Sequence, residues 1–315
     1  MTTRSTLNAY LRNYGIVWVA LLLFVLLAVT TPAFFSIDNL RNIMDQQAVT
    51  LIVAVFATIV LISGGFDVSL SAVFILAPLV ALRVQDTFGS GWALMLIGAA
   101  VGVGCGLLNG LVVTKGRINA FIATLATSLV FFGLAYLVSD GSILRLENVD
   151  LRAIATTRIL GITSATWIAV VCVAIAWILL ERTRFGRYVF AVGGNREAAR
   201  LAGVPVDRVL IWAFTLAGLS AGLAGSLNTA RTLTAQASDD FGLIFTVIAA
   251  VVVGGTSIAG GSGAIWRTVV GVFFIALLGN GFNLNGVDPI VQRIVQGLVI
   301  LAAVGADAWS RSRRE

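Results

Sequence analysis

The 315-residue chain is 58% hydrophobic and only 11% charged, with a mean hydropathy of +0.98, which excludes a soluble globule wrapped in polar surface. The balance is basic, with a net charge of +6 and a pI near 10.1. No basic cluster is interleaved with stacking aromatics, so the positive charge signals membrane-flanking loops and no nucleic acid.

The chain has no histidine, which removes His-based catalysis and His metal sites. Cys105 and Cys172 both fall inside apolar runs, as small packing residues do. The single lysine, Lys115, follows Thr114 where a phosphate-wrapping loop requires Gly, so the chain carries no Walker ATPase.

In chain order the charge-free runs are 16–35, 46–66, 68–82, 88–114, 118–139, 159–180, 209–230, 241–266, 268–287 and 294–306. A bilayer crossing takes roughly 20 apolar residues as a helix. The runs therefore predict an all-α integral membrane protein of about ten transmembrane helices, forming one domain over 1–315. The runs 68–82 and 294–306 are too short alone and must tilt, borrow flanking residues or lie within the bundle. The first run follows Arg4 and Arg12 and lacks an A-x-A cleavage site, so it is expected to be a retained helix. With the N-terminus inside, fourteen of the 21 Lys and Arg fall on the cytoplasmic side, six of them in the loop 181–208. That asymmetry predicts both termini in the cytoplasm. The segment 140–158 is expected outside, as a loop or an interfacial helix.

Polar positions within the runs mark where solute could pass. "SGGFDVS" sets Asp67 and Ser69 between the second and third runs, where a carboxylate is costly unless paired, capped or wetted. Asp67 either caps the third helix or lines a pathway. "GAAVGVGCG" (98–106) reads as a close-packing face, and Asn109 lies near the inner end of that helix. "GGTSIAGGSG" (254–263), with Thr256 and Ser257, is too Gly-rich for regular helix. Such a stretch is tolerable at membrane depth only if buried in protein or lining a cavity. Asn280 and Asn283 in "GNGFNLNG" share a helical face, where they either bond helices together or line a conduit.

The loop 181–208 contains a short helix. Asn195 can cap it, Glu197 complements its positive end, and Gly203 with Pro205 stops it. Nine residues would make a rod roughly 13 Å long. Ala198, Leu201 and Ala202 share one face, rimmed by Arg196 and Arg200. A bilayer-surface helix would need bulkier apolar residues, so a protein partner is the better match.

The stretch "TRFGRYVFAVGGNREAARLAGVPVDRV" (183–209) resembles the cytoplasmic signature of permease subunits of bacterial ABC sugar importers of the ribose type. "LISGGFDVSLSA" (61–72), "GLLNGLVVTKGRINAFIATLAT" (106–127) and "IAAVVVGGTSIAGGSGAIWRTVVG" (248–271) resemble that family's other signatures, in family order. The resemblance implies a type II ABC importer-like permease fold in the bacterial inner membrane, surrounded by lipid. It implies a second permease copy or a similar subunit, an external sugar-binding protein and a separate ABC ATPase that uses ATP and Mg. The permease would bind no cofactor and perform no covalent chemistry. Asn195, Arg196, Glu197, Ala198, Ala199, Arg200, Leu201, Ala202 and Gly203 would form the coupling helix that docks the ATPase. Two departures stand out: Ser71 replaces a usual Gly, and Arg267-Thr268 a usual Gly-Thr pair. The competing expectations are a branched-chain amino-acid ABC permease and an ion-coupled secondary transporter. The latter would want deep acidic residues beyond Asp67.

Overall fold

The structure, a computed structural model, describes residues 3–85, 91–148 and 152–312. Among these residues nine of the ten apolar runs each fall mainly on one helix, and the run 241–266 is divided between two. The helices are α1 (Thr3–Thr30), α2 (Ile37–Ile62), α3 (Leu70–Arg83), α4 (Gly91–Thr114), α5 (Ala120–Ser139), α7 (Ser164–Arg182), α10 (Val206–Thr232), α11 (Gly242–Val253), α12 (Ile265–Leu284) and α13 (Pro289–Ser312). Three short helices lie between them: α6 (Arg152–Thr156), α8 (Arg184–Gly194) and α9 (Arg196–Leu201). Among the described residues, six helices are long and apolar enough to cross a membrane, while Tyr14–Thr30, Leu70–Arg83, Gly242–Val253 and Pro289–Ala302 are shorter apolar stretches.

The expected span 241–266 is not one helix. α11 stops at Val253, and Gly255, Gly260 and Gly261 follow with φ of +89°, +90° and +73°. Residues with a Cβ rarely adopt that left-handed backbone, so glycine ends the helix there. In the expected external loop, β1 (Leu144–Arg145) pairs antiparallel with β4 (Thr234–Ala235), and β2 (Arg158–Ile159) with β3 (Ile162–Thr163). Residues 149–151 of that loop lie outside the described ones.

Helix α2 is the centre of the bundle, with 78% of its apolar window buried, and α10 follows at 72%. Helices α4, α5 and α7 bury 39% or less of theirs and present apolar faces outward, as lipid-facing helices do. The "GAAVGVGCG" face packs as expected: a Cβ on Gly102 would lie 2.2 Å from the Gly218 carbonyl oxygen of α10, and one on Gly106 2.3 Å from that of Phe214. Small residues at four-residue spacing let the two backbones touch, which supplies contact energy where lipid offers no hydrophobic drive. The Ser71 departure is built into the packing, whereas in Arg267-Thr268 only Arg267 departs and Thr268 keeps the expected Thr. Ser71 Oγ accepts from Ile244 N at 2.9 Å, supplying a cap that the first turn of α11 lacks from its own Phe241. Thr268 Oγ1 lies 2.7 Å from Thr58 Oγ1, joining α12 to α2 inside the core.

Candidate functional site

Three backbone breaks meet at one end of the bundle. Helix α2 ends at Ile62 and turns through Gly64 at φ +73°. The Gly261 N–H donates to the Ile62 carbonyl at 2.9 Å, and Arg196 Nη2 donates to the Gly64 carbonyl at 2.8 Å. A Cβ on Gly193, near the end of α8, would stand 1.7 Å from the Ile62 oxygen, and one on Gly260 2.8 Å from the Gly64 Cα. The end of α2, the α8–α9 corner and the α11–α12 turn therefore touch backbone to backbone, which only glycine permits. Thr256 and Ser257 lie buried in this junction: Ser257 N donates to the Ser262 carbonyl, and a Cβ on Gly263 would meet both Thr256 Oγ1 and Ile62 at 2.8 Å.

The helix beside the junction is built as its sequence suggests, but shorter. Asn195 Oδ1 accepts from Ala198 N at 2.9 Å, Gly203 takes φ +81°, and six residues replace the nine expected. Ala202 N reaches the Ala198 carbonyl and Gly203 N that of Arg200, which closes the last turn early. Ala199 is buried, whereas Asn195, Arg196, Glu197, Ala198, Arg200, Leu201, Ala202 and Gly203 are exposed. Leu201 is 83% exposed, an apolar knob on an otherwise charged surface.

Asp67, Ser69 and Asn109 come together in a polar chain that leaves Asp67 Oδ2 unpaired among the described residues. Asp67 Oδ1 accepts from Ser69 N at 2.9 Å and from Ser69 Oγ at 2.6 Å. Asn109 Nδ2 donates to Ser69 Oγ, and Thr127 Oγ1 donates to Asn109 Oδ1, each at 2.7 Å. Thr124 Oγ1 takes the Val68 N–H at 3.1 Å. These groups satisfy a break in the backbone within the bundle, where an unpaired polar group would cost several kcal/mol. The cavity beside Asp67 measures about 10 Å³ and has apolar walls, too small for more than a water. Sequence reasoning missed Thr124 and Thr127, although their spacing in "ATLAT" puts them on one helical face.

The open site lies elsewhere. Helices α2, α12 and α13 surround a cavity of about 190 Å³ lined by Gln46, Gln47, Asn280, Asn283, Gln292 and Gln296, with apolar wall from Ile43, Ile275, Leu278 and Phe282. Among the described residues no charged side chain lines it. Asn280 and Asn39 exchange a reciprocal pair of amide hydrogen bonds at 2.9 and 3.0 Å. Gln292 Nε2 donates to Asn283 Oδ1 at 3.0 Å, and Gln296 Nε2 to Thr246 Oγ1 at 3.1 Å. The Gln47 amide has no hydrogen bond to any described residue, leaving its donors and acceptor for whatever fills the space. The four glutamines were missed because Gln46 and Gln47 open a charge-free run, Gln292 lies just before another and Gln296 inside it. The residues nominated as one pathway thus occupy three places. Along α12 from Ile265 to Asn280 is roughly 22 Å at 1.5 Å per residue, and along α2 from Ile62 to Gln46 roughly 24 Å. The glycine junction and the amide cavity sit at opposite ends of the same two helices.

A multi-pass helical protein with lipid-facing spans, broken helices at its core and an uncharged polar cavity between helices belongs to the class of membrane permeases. The chain is a member of the family described as branched-chain amino acid transport system / permease component, which it matches over residues 39–304. It is 38% identical over 291 residues to the ribose import permease protein RbsC of Escherichia coli (strain K12), covering 91% of each chain. It is 37% identical over 302 residues to the L-arabinose transport system permease protein AraH of the same strain, covering 96% of this chain and 92% of that one. To the ribose import permease protein RbsC of Bacillus subtilis (strain 168) it is 39% identical over 289 residues, covering 91% and 89%. No solved structure matches the chain.

Proposed function

We propose that this chain is the transmembrane permease subunit of an ATP-binding-cassette importer that moves a monosaccharide or related polyol across the inner membrane by alternating access. The observation that carries the substrate class is the amide-lined, charge-free cavity. A sugar leaving water needs replacement donors and acceptors for its hydroxyls and an apolar wall for its C–H faces, without charges that would hold it too tightly. A zwitterionic amino acid would need charged partners, and this cavity offers none. The ribose and arabinose permeases among its relatives point the same way.

The rest of the reading follows from the two ends of α2 and α12. An ATPase docks on Ala198, Leu201 and Ala202 and supplies the ATP and Mg chemistry that this chain lacks. Movement of α9 pulls on Gly64 and, through Gly193, on the end of α2 and the α11–α12 turn. The two helices carry that displacement to the amide cavity, which an external binding protein loads. Ten crossings with both termini cytoplasmic, and a second permease copy across the membrane plane, complete the assembly.

Sugar uptake into vesicles holding the permease, its ATPase and its binding protein tests this. Gln47→Leu should slow uptake about ten-fold, the equivalent of one lost hydrogen bond. Wild-type rates in Gln47→Leu and Gln296→Leu together would remove the cavity from the pathway. Uptake driven by an ion gradient with the ATPase omitted would replace the importer with a secondary transporter.

A further inference from the structure

At the end of the molecule that carries α9, a recess of about 830 Å³ is lined by Thr114, Lys115, Arg117, Arg200, Asp207 and Arg208. Its cations come from three separate places: Lys115 and Arg117 from the α4–α5 turn, Arg200 from α9 and Arg208 from the first turn of α10. Lys115 Nζ meets Asp207 Oδ2 at 3.1 Å, and Arg200 meets Glu197 at 3.5 Å. Arg117 and Arg208 have neither a hydrogen bond nor an ion pair to any described residue. Two guanidiniums thus converge on one hollow without compensation, which is an anion-binding arrangement.

The surroundings select the kind of anion. Leu111 lies one turn before Lys115 on α4, and Trp212 one turn after Arg208 on α10. Both side chains are exposed, at 42% and 59%. The two helices touch between them, since a Cβ on Gly110 would stand 2.8 Å from the Ile211 Cα. An apolar strip therefore runs directly from the basic recess along the outer face of the spans. A soluble anion would use the recess alone, whereas a molecule with an anionic head and apolar tails would use both.

We propose that this recess binds the phosphate headgroup of an anionic phospholipid, with an acyl chain lying along Leu111 and Trp212. Because Arg200 belongs to α9, the bound lipid braces the same short helix that takes the ATPase. The proposal rests on the topology proposed above only in assigning the lipid to the inner leaflet.

The test measures phosphatidylglycerol bound to the intact permease in phosphatidylcholine nanodiscs, by native mass spectrometry, with and without the ATPase subunits. A cation beside an anionic lipid surface is worth about five-fold in affinity, so Arg117→Gln/Arg208→Gln should weaken phosphatidylglycerol binding roughly 25-fold. Arg117→Lys/Arg208→Lys should restore most of it, and excess inorganic phosphate should not displace the lipid. Wild-type binding in the Gln double variant, or equal losses in the Gln and Lys variants, would overturn the proposal. Displacement by inorganic phosphate would make the occupant a soluble anion. Loss of the lipid on adding the ATPase would give the recess to the partner protein. Uptake does not enter these readouts, so they stand or fall apart from the substrate assignment.

Discussion

Asp67 holds its turn with one oxygen. Oδ1 accepts both the Ser69 N–H and its hydroxyl, while Oδ2 has no hydrogen-bond partner among the described residues. An Asn at this position keeps the accepting oxygen and discards a buried charge, so Asp67→Asn should melt at or above the wild-type temperature in detergent. Asp67→Ala removes the acceptor, leaves the Ser69 N–H unanswered and should lose about 0.5–2 kcal/mol. Equal damage from Asn and Ala would mean that the carboxylate charge itself is used. Ser71→Gly should likewise cost about 0.5–2 kcal/mol by leaving Ile244 N without its acceptor, read from the same melting curves. That Asp67 is satisfied locally was legible in "SGGFDVS", but it does not cap α3 as expected: the cap position is Ser69, which makes no side-chain cap bond, and Asp67 holds the turn just before it. The Ser71 contact was not legible, since its partner lies 173 residues further along the chain. Residue type alone could also not separate Asn280, already paired with Asn39, from Gln47, which has an open amide.

Helix α9 separates two substitutions that look alike in sequence. Ala199 is buried against the body of the protein, while Ala202 and Leu201 are exposed. Ala199→Asp should therefore destabilise the permease itself, by the several kcal/mol that a buried unpaired carboxylate costs. Leu201→Asp and Ala202→Asp should leave insertion and melting unchanged and reduce ATPase association and sugar-stimulated ATP hydrolysis. Normal ATPase binding by both exposed-face variants would take α9 out of the interface. Gly193→Val should uncouple the two ends: its side chain would drive into the Ile62 carbonyl, so ATPase association persists while hydrolysis no longer responds to sugar. The cap, the stop and the partner-facing side were legible because Asn195, Gly203 and Pro205 act locally. The burial of Ala199 was not, because three alanines within five residues offer no contrast from which a tertiary face can be read. The same locality explains α8, whose Gly186, Val189 and Val192 turn inward at helical spacing but whose arginines read first as membrane-flanking charge.

At the scale of the whole molecule, contacts sort the turns into two sets. One set joins residues 62–65, 193–196 and 260–261 at the glycine junction, with Lys115 and Asp207 paired near α9. The other joins β1 to β4, Asp45 to Thr163 and Thr166, Arg231 to the Asp45 carbonyl, and Arg83 to Asp140. The apolar runs alone, alternating sides, divide these turns in the same way, which is why the path of the chain was legible from hydropathy. Counting charge-free runs missed the break after Val253, because glycine carries no charge; the Gly-rich composition of 254–263 is what marked it. Contacts say which turns lie together and nothing of which end faces the cytoplasm. The proposed orientation rests on charge: the first set carries the six arginines of 181–208 with Lys115, Arg117 and Arg267, and basic loops are preferentially retained inside. Single cysteines at Ser142 and Ser238 in a Cys-free background should therefore label with an impermeant thiol reagent from outside, and one at Ser310 only after the membrane is opened. Removing Cys105 and Cys172 is tolerable, because both are buried among apolar neighbours and an alanine fills most of that volume. Outside labelling at Ser310 with Ser238 protected would invert the molecule. The amide cavity would then open toward the cytoplasm, α9 would stand where no ATPase can reach it, and the importer reading would fail with the topology.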